Sequence, residues 1–387
     1  MDDERRALLP TDEAADLLAL AAELAEKELA PRAAEFEAEG RFPREVFRTI
    51  GRSGLLGLPY PEQYGGGGQP YEVYLQVVEE FARHWLAVAI GVSVHTLSCH
   101  ALAGFGDEAQ KERWLPDLLG GDLLGAYCLS EPSHGSDAAH LTTRAAAEPD
   151  GSGYVLDGTK AWITHGGEAD FYLVFARTGA DGAKGISTFL AAAATPGLSA
   201  APPEHKMGLR SSTTAQVRFE SARVPAERRI GAEGAGFAIA MDALDSGRLG
   251  IAACATGLMR AALETAVEYA RTRIQFGRPI IEHDGVGFLL ADMSTRLDVG
   301  RAAYLAAARL RDRGLPFTRQ AAAAKLYCTD SAMQTAIDAV QVLGGYGYTT
   351  DFPAERYMRE AKVLQIVEGT NQIQRRVIAG RLARGKR

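Results

Sequence analysis

Phe171-Tyr172-Leu173-Val174-Phe175, followed by Ile186-Ser187-Thr188-Phe189-Leu190, is the part of the chain that decides its architecture. Both runs are short, aromatic or β-branched, and bounded by turn residues, so they read as strands. Tyr154-Val155-Leu156 and Ala215-Gln216-Val217-Arg218-Phe219 extend the pattern, with Asp150-Gly151-Ser152-Gly153 and Asp157-Gly158 as turns. Short strands at this spacing predict an antiparallel β-barrel or sandwich over residues 123–231 rather than a βαβ sheet.

Working outward, the texture on both sides is helical. Upstream, Thr11-Asp12-Glu13 is a helix start, and the Ala/Leu/Glu-rich run to Glu39 is interrupted by Pro31. Pro43-Arg44-Glu45 opens a short helix ending near Gly54, and further helices are expected over Tyr71–Arg83, Leu86–Gly106 and Glu108–Leu119. Gly65-Gly66-Gly67-Gly68 is followed by no GK[ST], so it reads as a flexible loop and not a phosphate cradle. Downstream, Leu258, Ala262, Ala266 and Tyr269 recur at helical spacing, as do Leu290, Met293 and Leu297. The chain divides into an N-terminal α-helical domain (1–122), a middle β-domain (123–231) and a C-terminal helical bundle (232–387). The fold class is α+β, multi-domain.

Composition excludes several functions. Hydrophobic residues make up 47% and charged ones 24% of the 387 residues, the balance of an ordinary globular chain. A net charge of -7 gives no footprint for nucleic acid or an anionic membrane. Leu86–Gly106 is apolar, but His95, Thr96, Ser98 and His100 argue for a buried core helix rather than a span. The acidic start, Met1 to Arg6, carries no secretion or transit signal. Cys99, Cys128, Cys254 and Cys328 form no CxxC pair and read as reduced thiols of a cytoplasmic protein. No histidine has the company of a metal site.

Chemistry gathers at Leu364-Gln365-Ile366-Val367-Glu368-Gly369-Thr370-Asn371-Gln372. Apolar neighbours would desolvate Glu368 and raise its pKa towards that of a base, while Gly369 frees a turn and Thr370 caps the next helix. Taken alone, this is equally an acidic residue at a solvated helix entrance. Tyr127-Cys128-Leu129-Ser130-Glu131-Pro132-Ser133-His134-Gly135-Ser136-Asp137 is a hydroxyl-rich loop that could face a polar planar ring or be a decorated turn. In Lys160-Ala161-Trp162-Ile163-Thr164, Trp162 and Thr164 share a strand face and could flank an aromatic cofactor, or Trp162 could be core. Gly231–Gly236 has GxxGxG spacing but sits in no βαβ unit and reads as a domain-joining turn.

These pieces, with Lys206-Met207-Gly208, Arg210-Ser211-Ser212-Thr213, Asp245-Ser246-Gly247-Arg248, Arg273 with Phe276-Gly277, and Gln341-Val342-Leu343-Gly344-Gly345, stand in register along essentially the whole chain. In that order the sequence resembles the acyl-CoA dehydrogenase family, and its wording is most like the short-chain (butyryl-CoA) type. The resemblance implies a four-helix C-terminal bundle, a homotetramer and bound FAD. It implies that Tyr127, Leu129, Ser130, Gly135, Ser136, Trp162, Ile163 and Thr164 hold the isoalloxazine. Arg273, Gln275, Phe276 and Gln341 to Gly345 (Val342, Leu343 and Gly344 between them) reach the adenosine diphosphate, that of a neighbouring subunit's flavin. Thr370, Asn371 and Gln372 complete the cofactor site. Ser136, Asp245, Ser246, Gly247, Arg248 and Gly369 serve the substrate.

By the same resemblance Glu368 is the base, removing the α-proton of an acyl-CoA thioester while the β-hydride passes to the flavin. The electrons then go to an electron-transfer flavoprotein. Some relatives carry the base on the earlier helix, at a place corresponding to Gly247, which cannot serve. Ser133-His134, His165 and Asp284 depart from the family's usual residues, and Asp284 puts one flavin contact in doubt. A nitroalkane or acyl-CoA oxidase, or a non-enzymatic DNA-binding relative, shares the fold. Glu368 itself, the chain's length and the acidic net charge count against them.

Overall fold

The computed structural model describes residues 6–383. Residues 1–5, most of the stretch read as lacking a leader, and 384–387 lie outside the described residues. Helices and strands follow the α, β, α order that the residue patterns predict.

The N-terminal part comprises α1 (Asp12–Leu24), α2 (Ala30–Glu39), α3 (Arg44–Arg52), α4 (Tyr71–His84), α5 (Leu86–Phe105) and α6 (Glu108–Leu119). Thr11 caps α1, its side chain accepting from Ala14 N at 3.1 Å. Pro31 divides the first long run through a π-helical turn, Ala25–Leu29, just before it. A proline cannot donate to the carbonyl one turn back, and the extra residue in that turn absorbs the mismatch. Leu86–Phe105 is long and apolar enough to cross a bilayer, but 89% of its most apolar window is buried inside this fold.

The Gly65–Gly68 stretch is not the flexible loop its composition suggests. Gly67 N donates to Gly57 O at 3.1 Å, Gly68 N to Tyr60 O at 2.8 Å and Gln69 N to Leu58 O at 2.9 Å. A Cβ on Gly66 would overlap the Tyr60 backbone. Glycine is required there for close approach, and the result is a pinned Tyr60.

The middle strands are β1 (Gly125–Cys128), β2 (Arg144–Ala147), β3 (Gly153–Thr164), β4 (Phe171–Arg177), β5 (Ile186–Ala192), β6 (Leu198–Ala200), β7 (Thr214–Pro225) and β8 (Arg229–Ile230). They run β6-β7-β3-β2-β4-β5-β8, with β1 beside β4. The expected antiparallel sheet is in fact mixed. β1 pairs with β4 in parallel from Gly125↔Phe171 to Cys128↔Val174, and β2 meets β4 in parallel at Arg144↔Arg177. β1 and β4 are separated in the chain by the whole β2–β3 hairpin, which is long enough for a parallel return.

The C-terminal part holds α7 (Gly236–Thr272), α8 (Asp284–Asp312), α9 (Thr318–Leu343), α10 (Ala354–Leu364) and α11 (Asn371–Ala383). Gly231 and Gly234 sit at positive φ in the turn that delivers the chain from β8 to α7. The 37-residue α7 packs against α4, α5, α8, α9 and α10. It can do so closely because small residues face its neighbours: a Cβ on Gly257 would overlap the Glu79 carbonyl of α4. This helix, α9 and the α10–α11 turn enclose the site.

Candidate active site

Between α10 and α11 the chain turns through Glu368 at φ 52 and Gly369 at φ 92. A left-handed glutamate is disfavoured by about 1 kcal/mol, so neighbouring bonds must hold it. They do so from two sides. Gln374 Nε2 donates to Glu368 O at 3.3 Å and Gly369 O at 2.8 Å, and Lys325 Nζ of α9 donates to Gly369 O at 3.0 Å. Thr370 accepts from Ile373 N at 3.3 Å, the cap read from the sequence.

The Glu368 carboxylate is held in another way. Both its oxygens are buried, and among the described residues neither has a hydrogen-bond partner. Burial pushes this carboxyl up to about 7, against the opposing pull of Lys325 and Arg248. A dehydrated carboxylate titrating near neutrality is a general base. Arg248 Nε and Gln374 Oε1 are also buried without partners. Orphaned polar atoms around one turn mark a place built for a polar ligand.

On the far wall, α7 presents Gly247 to the base. A Cβ built there would overlap Glu368 Oε2 and come within 3.1 Å of its Cδ and of Leu97 Cδ1. Gly247 and Leu97 also line a small cavity with Tyr60, Tyr71, Ser93 and Thr96, of about 10 Å³, room for about one water. Tyr71 closes it by donating to Ser246 O at 3.1 Å.

On the β side, the bulge in β3 between Lys160 and Ile163 places Trp162 at φ 62 with its ring 64% exposed. Thr164, at the end of β3, is half-buried. The neighbouring loop is held by Glu131, which accepts from Thr142 N at 2.6 Å, Thr143 N at 2.8 Å and Lys160 Nζ at 3.0 Å. Against the upward push of burial, Lys160 and these donors keep the Glu131 carboxyl down at about 2. Ser130 is left half-open beside it. An exposed indole, hydroxyls and loop N–H groups are the donor set of a site for a planar, polar-edged ring, so the residues present fit an isoalloxazine.

The site residues expected from the sequence divide into three groups. Glu368, Gly247, Arg248 and Gly369 come together; on the β side Trp162, Gly135 and Ser136 are exposed and Ser130 and Thr164 half-buried, while Tyr127 packs on Phe175 and donates to Ala240 O at 3.3 Å. A second group cannot serve by side chain. Ile163 is 1% exposed in the β core, Leu129 is 7% exposed, and Val342 and Leu343 are buried among helices. Only their backbone is left to meet a ligand. Ser246 is turned away, its hydroxyl taken by Arg311 Nε at 3.0 Å. Asn371 is taken by Lys325, Thr329 and Asp330 at 2.9, 2.9 and 2.6 Å, so its side chain acts on the base turn. Asp245 is half-buried, bonded to Arg248 and to Thr318 Oγ1 at 2.6 Å. The third group, Arg273, Gln275, Phe276, Gln341, Gly344, Gly345 and Gln372, stands exposed. Asp284 is exposed too, in the first turn of α8, where a carboxylate suits the helix dipole.

Lys325 and Gln374 escaped the sequence reading. The available signal was the lysine in Ala321-Ala322-Ala323-Ala324-Lys325, a cation on an otherwise apolar helix face.

Comparison with known proteins gives the same picture. The acyl-CoA dehydrogenase N-terminal, middle and C-terminal domains match residues 11–122, 126–222 and 234–383. The chain belongs to the acyl-CoA dehydrogenase family. It is 46% identical to an acyl-CoA dehydrogenase of Bacillus subtilis (strain 168), covering 94% of this chain and 96% of that one. Its fold matches the butyryl-CoA dehydrogenase of Megasphaera elsdenii with a TM-score of 0.95 at 41% identity, covering 99% and 100% of the two chains. A chain in a structure described as the electron transferring flavoprotein of Acidaminococcus fermentans matches equally well, with a TM-score of 0.95 and 41% identity over 99% and 100%. As in the family generally, FAD is the cofactor of this dehydrogenase.

Proposed function

We propose that this chain dehydrogenates a short acyl-CoA thioester to the trans-2-enoyl-CoA, with Glu368 as the base. The observation that carries the reading is the buried, unbonded Glu368 carboxylate raised to about 7 against Gly247. At neutral pH a large share of it is ionised and able to take a proton from the carbon next to the thioester carbonyl. Gly247 leaves the carboxylate room, and the Glu368–Gly369 turn fixes its direction. Exclusion of water keeps the carboxylate basic and the field of Lys325 and Arg248 strong.

FAD, held by Ser130, Trp162, Thr164 and the loop about Ser136, supplies the acceptor for the hydride that leaves the β-carbon. Arg248, with Asp245, lines the path of the CoA portion. The short-chain preference rests on the likeness to short-chain and butyryl-CoA dehydrogenases, with Leu97 the apolar side chain placed beside the Gly247–Glu368 contact. An electron-transferring flavoprotein is the acceptor that the family likeness favours.

Exposed Ile274, Phe276, Phe288 and Tyr348 favour a homotetramer in which the Arg273–Phe276 segment meets a neighbouring subunit's cofactor. Four buried free cysteines are what a cytoplasmic enzyme would carry.

The test is an anaerobic titration of the FAD-loaded protein with saturated acyl-CoA thioesters of increasing length, following flavin bleaching. At least one short thioester bleaches it rapidly, and Glu368→Gln binds FAD but does not bleach. A Glu368→Gln protein that bleaches as fast as the parent would place the base elsewhere.

A further inference from the structure

Lys325 is fully buried on α9, yet among the described residues its ammonium has no carboxylate for a hydrogen-bond partner. Its bonds go to two neutral acceptors, Gly369 O at 3.0 Å and Asn371 Oδ1 at 2.9 Å. Asn371 is itself fixed by Thr329 and Asp330, and Asp330 also takes Gln365 Nε2 at 2.7 Å and pairs with Arg375 at 3.2 Å. A rigid frame therefore delivers a buried cation, hydrogen-bonded to neutral acceptors with Asp330 close behind them, to the turn that carries Glu368. Burying such a charge costs several kcal/mol unless something gains from it.

Glu368 is the group that gains. Its carboxylate accepts no hydrogen bond, so its position comes entirely from the backbone turn and its stabilisation from nearby charge. The titratable and charged groups facing it are Lys325 of α9, Arg248 and Cys254 of α7, Tyr71 and Tyr74 of α4, and Tyr127 of β1. Among the described residues two of these are cations, and Arg248 is already paired with Asp245.

We propose that Lys325 is the positioning residue of the base: it clamps the left-handed Glu368–Gly369 turn and holds the carboxylate in its ionised form without touching it. This rests on the reading of Glu368 as the base. Direct contact would blunt the base by giving the carboxylate a bound proton donor, whereas a cation one peptide away favours ionisation and leaves both oxygens free for substrate. Burial in turn pushes the Lys325 ammonium down to about 8, opposed by Glu368 and Asp330, and abetted by Arg248. The pair is balanced so that both charges exist together near neutral pH.

The test compares parent, Lys325→Met, Lys325→Gln, Lys325→Arg and Glu368→Gln. FAD-loaded proteins are mixed anaerobically with butanoyl-CoA from about pH 6 to about pH 10, and the rate of flavin reduction is recorded. The protonated-carboxyl infrared band that is lost in Glu368→Gln is titrated separately in FAD-free protein. Loss of the cation raises the midpoint by about one unit or more in both experiments. The rate near neutrality then falls about fivefold or more and recovers towards the alkaline limit. Lys325→Arg keeps the parent midpoint. Lys325→Gln retains a donor to Gly369 O without the charge, and shows the shift even if Lys325→Met fails to fold. An unchanged midpoint in the neutral variants, with Glu368→Gln inert, overturns the role of Lys325 alone. Full activity in Glu368→Gln overturns the assignment of the base instead.

Discussion

Gly247 of α7 and Glu368 of the α10–α11 turn meet so closely that a single methyl group on the glycine would occupy the place of Oε2. The overlapped atom is the end of the Glu368 side chain, so it is the carboxylate rather than the helix that must move. Gly247→Ala is expected to slow flavin reduction about a hundredfold by displacing the base by about an ångström. The helix itself gains from alanine, so thermal stability and FAD content should hold. Stopped-flow reduction beside a melting curve checks this; a variant as fast as the parent would mean that the base does not work from this position.

The buried carboxylate also carries a stability signature. Folding raises the Glu368 carboxyl from 4.5 to about 7, so between those values the folded protein binds more protons than the unfolded chain. Stability therefore falls as pH rises across that window, and the loss is complete above about 7. Glu368→Gln removes the burden. Its stability should come close to the parent's near pH 5 and exceed it at pH 8, by about 3 kcal/mol in free energy. Melting curves at the two pH values decide it. A variant less stable at pH 8 would show that Lys325 and Arg248 more than compensate the burial.

Chain-length preference should yield to one substitution. Leu97 is 4% exposed, borders the cavity and lies against the Gly247 contact with the base. Leu97→Ala opens space at the expense of about 2–5 kcal/mol of stability. The ratio of kcat/KM for hexanoyl-CoA over butanoyl-CoA is expected to rise about tenfold, the worth of accommodating added methylenes in an apolar pocket. An unchanged ratio would put the acyl chain on another side of Glu368.

Legibility in the sequence follows the range of the interactions. Local signals gave the helices, the Thr11 and Thr370 caps, the turn before α7 and the strands rich in aromatics. β2 escaped because Arg144-Ala145-Ala146-Ala147 has little β propensity and owes its state to pairing with β3. The parallel β1–β4 contact escaped because nothing within β1 specifies a partner over forty residues away. Glu368 was legible as a candidate, but its orphaned oxygens, the glycine facing it and the lysine behind it are products of packing between distant helices. The glycine run 65–68 shows the converse error, since composition alone cannot distinguish a loose loop from a tightly bonded one.

Acid sensitivity offers a last test, centred on two histidines that grip Gly125 at the start of β1. His95 Nδ1 accepts from Gly125 N at 3.0 Å, which leaves its Nε2–H to donate to Leu118 O at 2.9 Å. His165 Nδ1–H donates to Gly125 O at 2.9 Å, and its other nitrogen is buried without a partner near Phe47 and Gly91. Both rings are therefore neutral in the fold. Burial first, then the adjoining His165 ring, which would resist a second proton beside it, lowers His95 to about 3 against its bond to Leu118, and burial lowers His165 to about 4 against its bond to Gly125. The unfolded chain takes up these protons from about pH 6.5 downward, so the stabilisation is whole above that value and is lost as pH falls towards 4. At pH 5 each ring should account for about 2 kcal/mol. His165 sits at φ 65, a conformation that asparagine tolerates well, and an asparagine amide can still donate to Gly125 O. His165→Asn should therefore fold and show a clearly smaller drop in melting temperature between pH 7 and pH 5 than the parent. Equal drops would locate the acid-labile groups elsewhere in the chain.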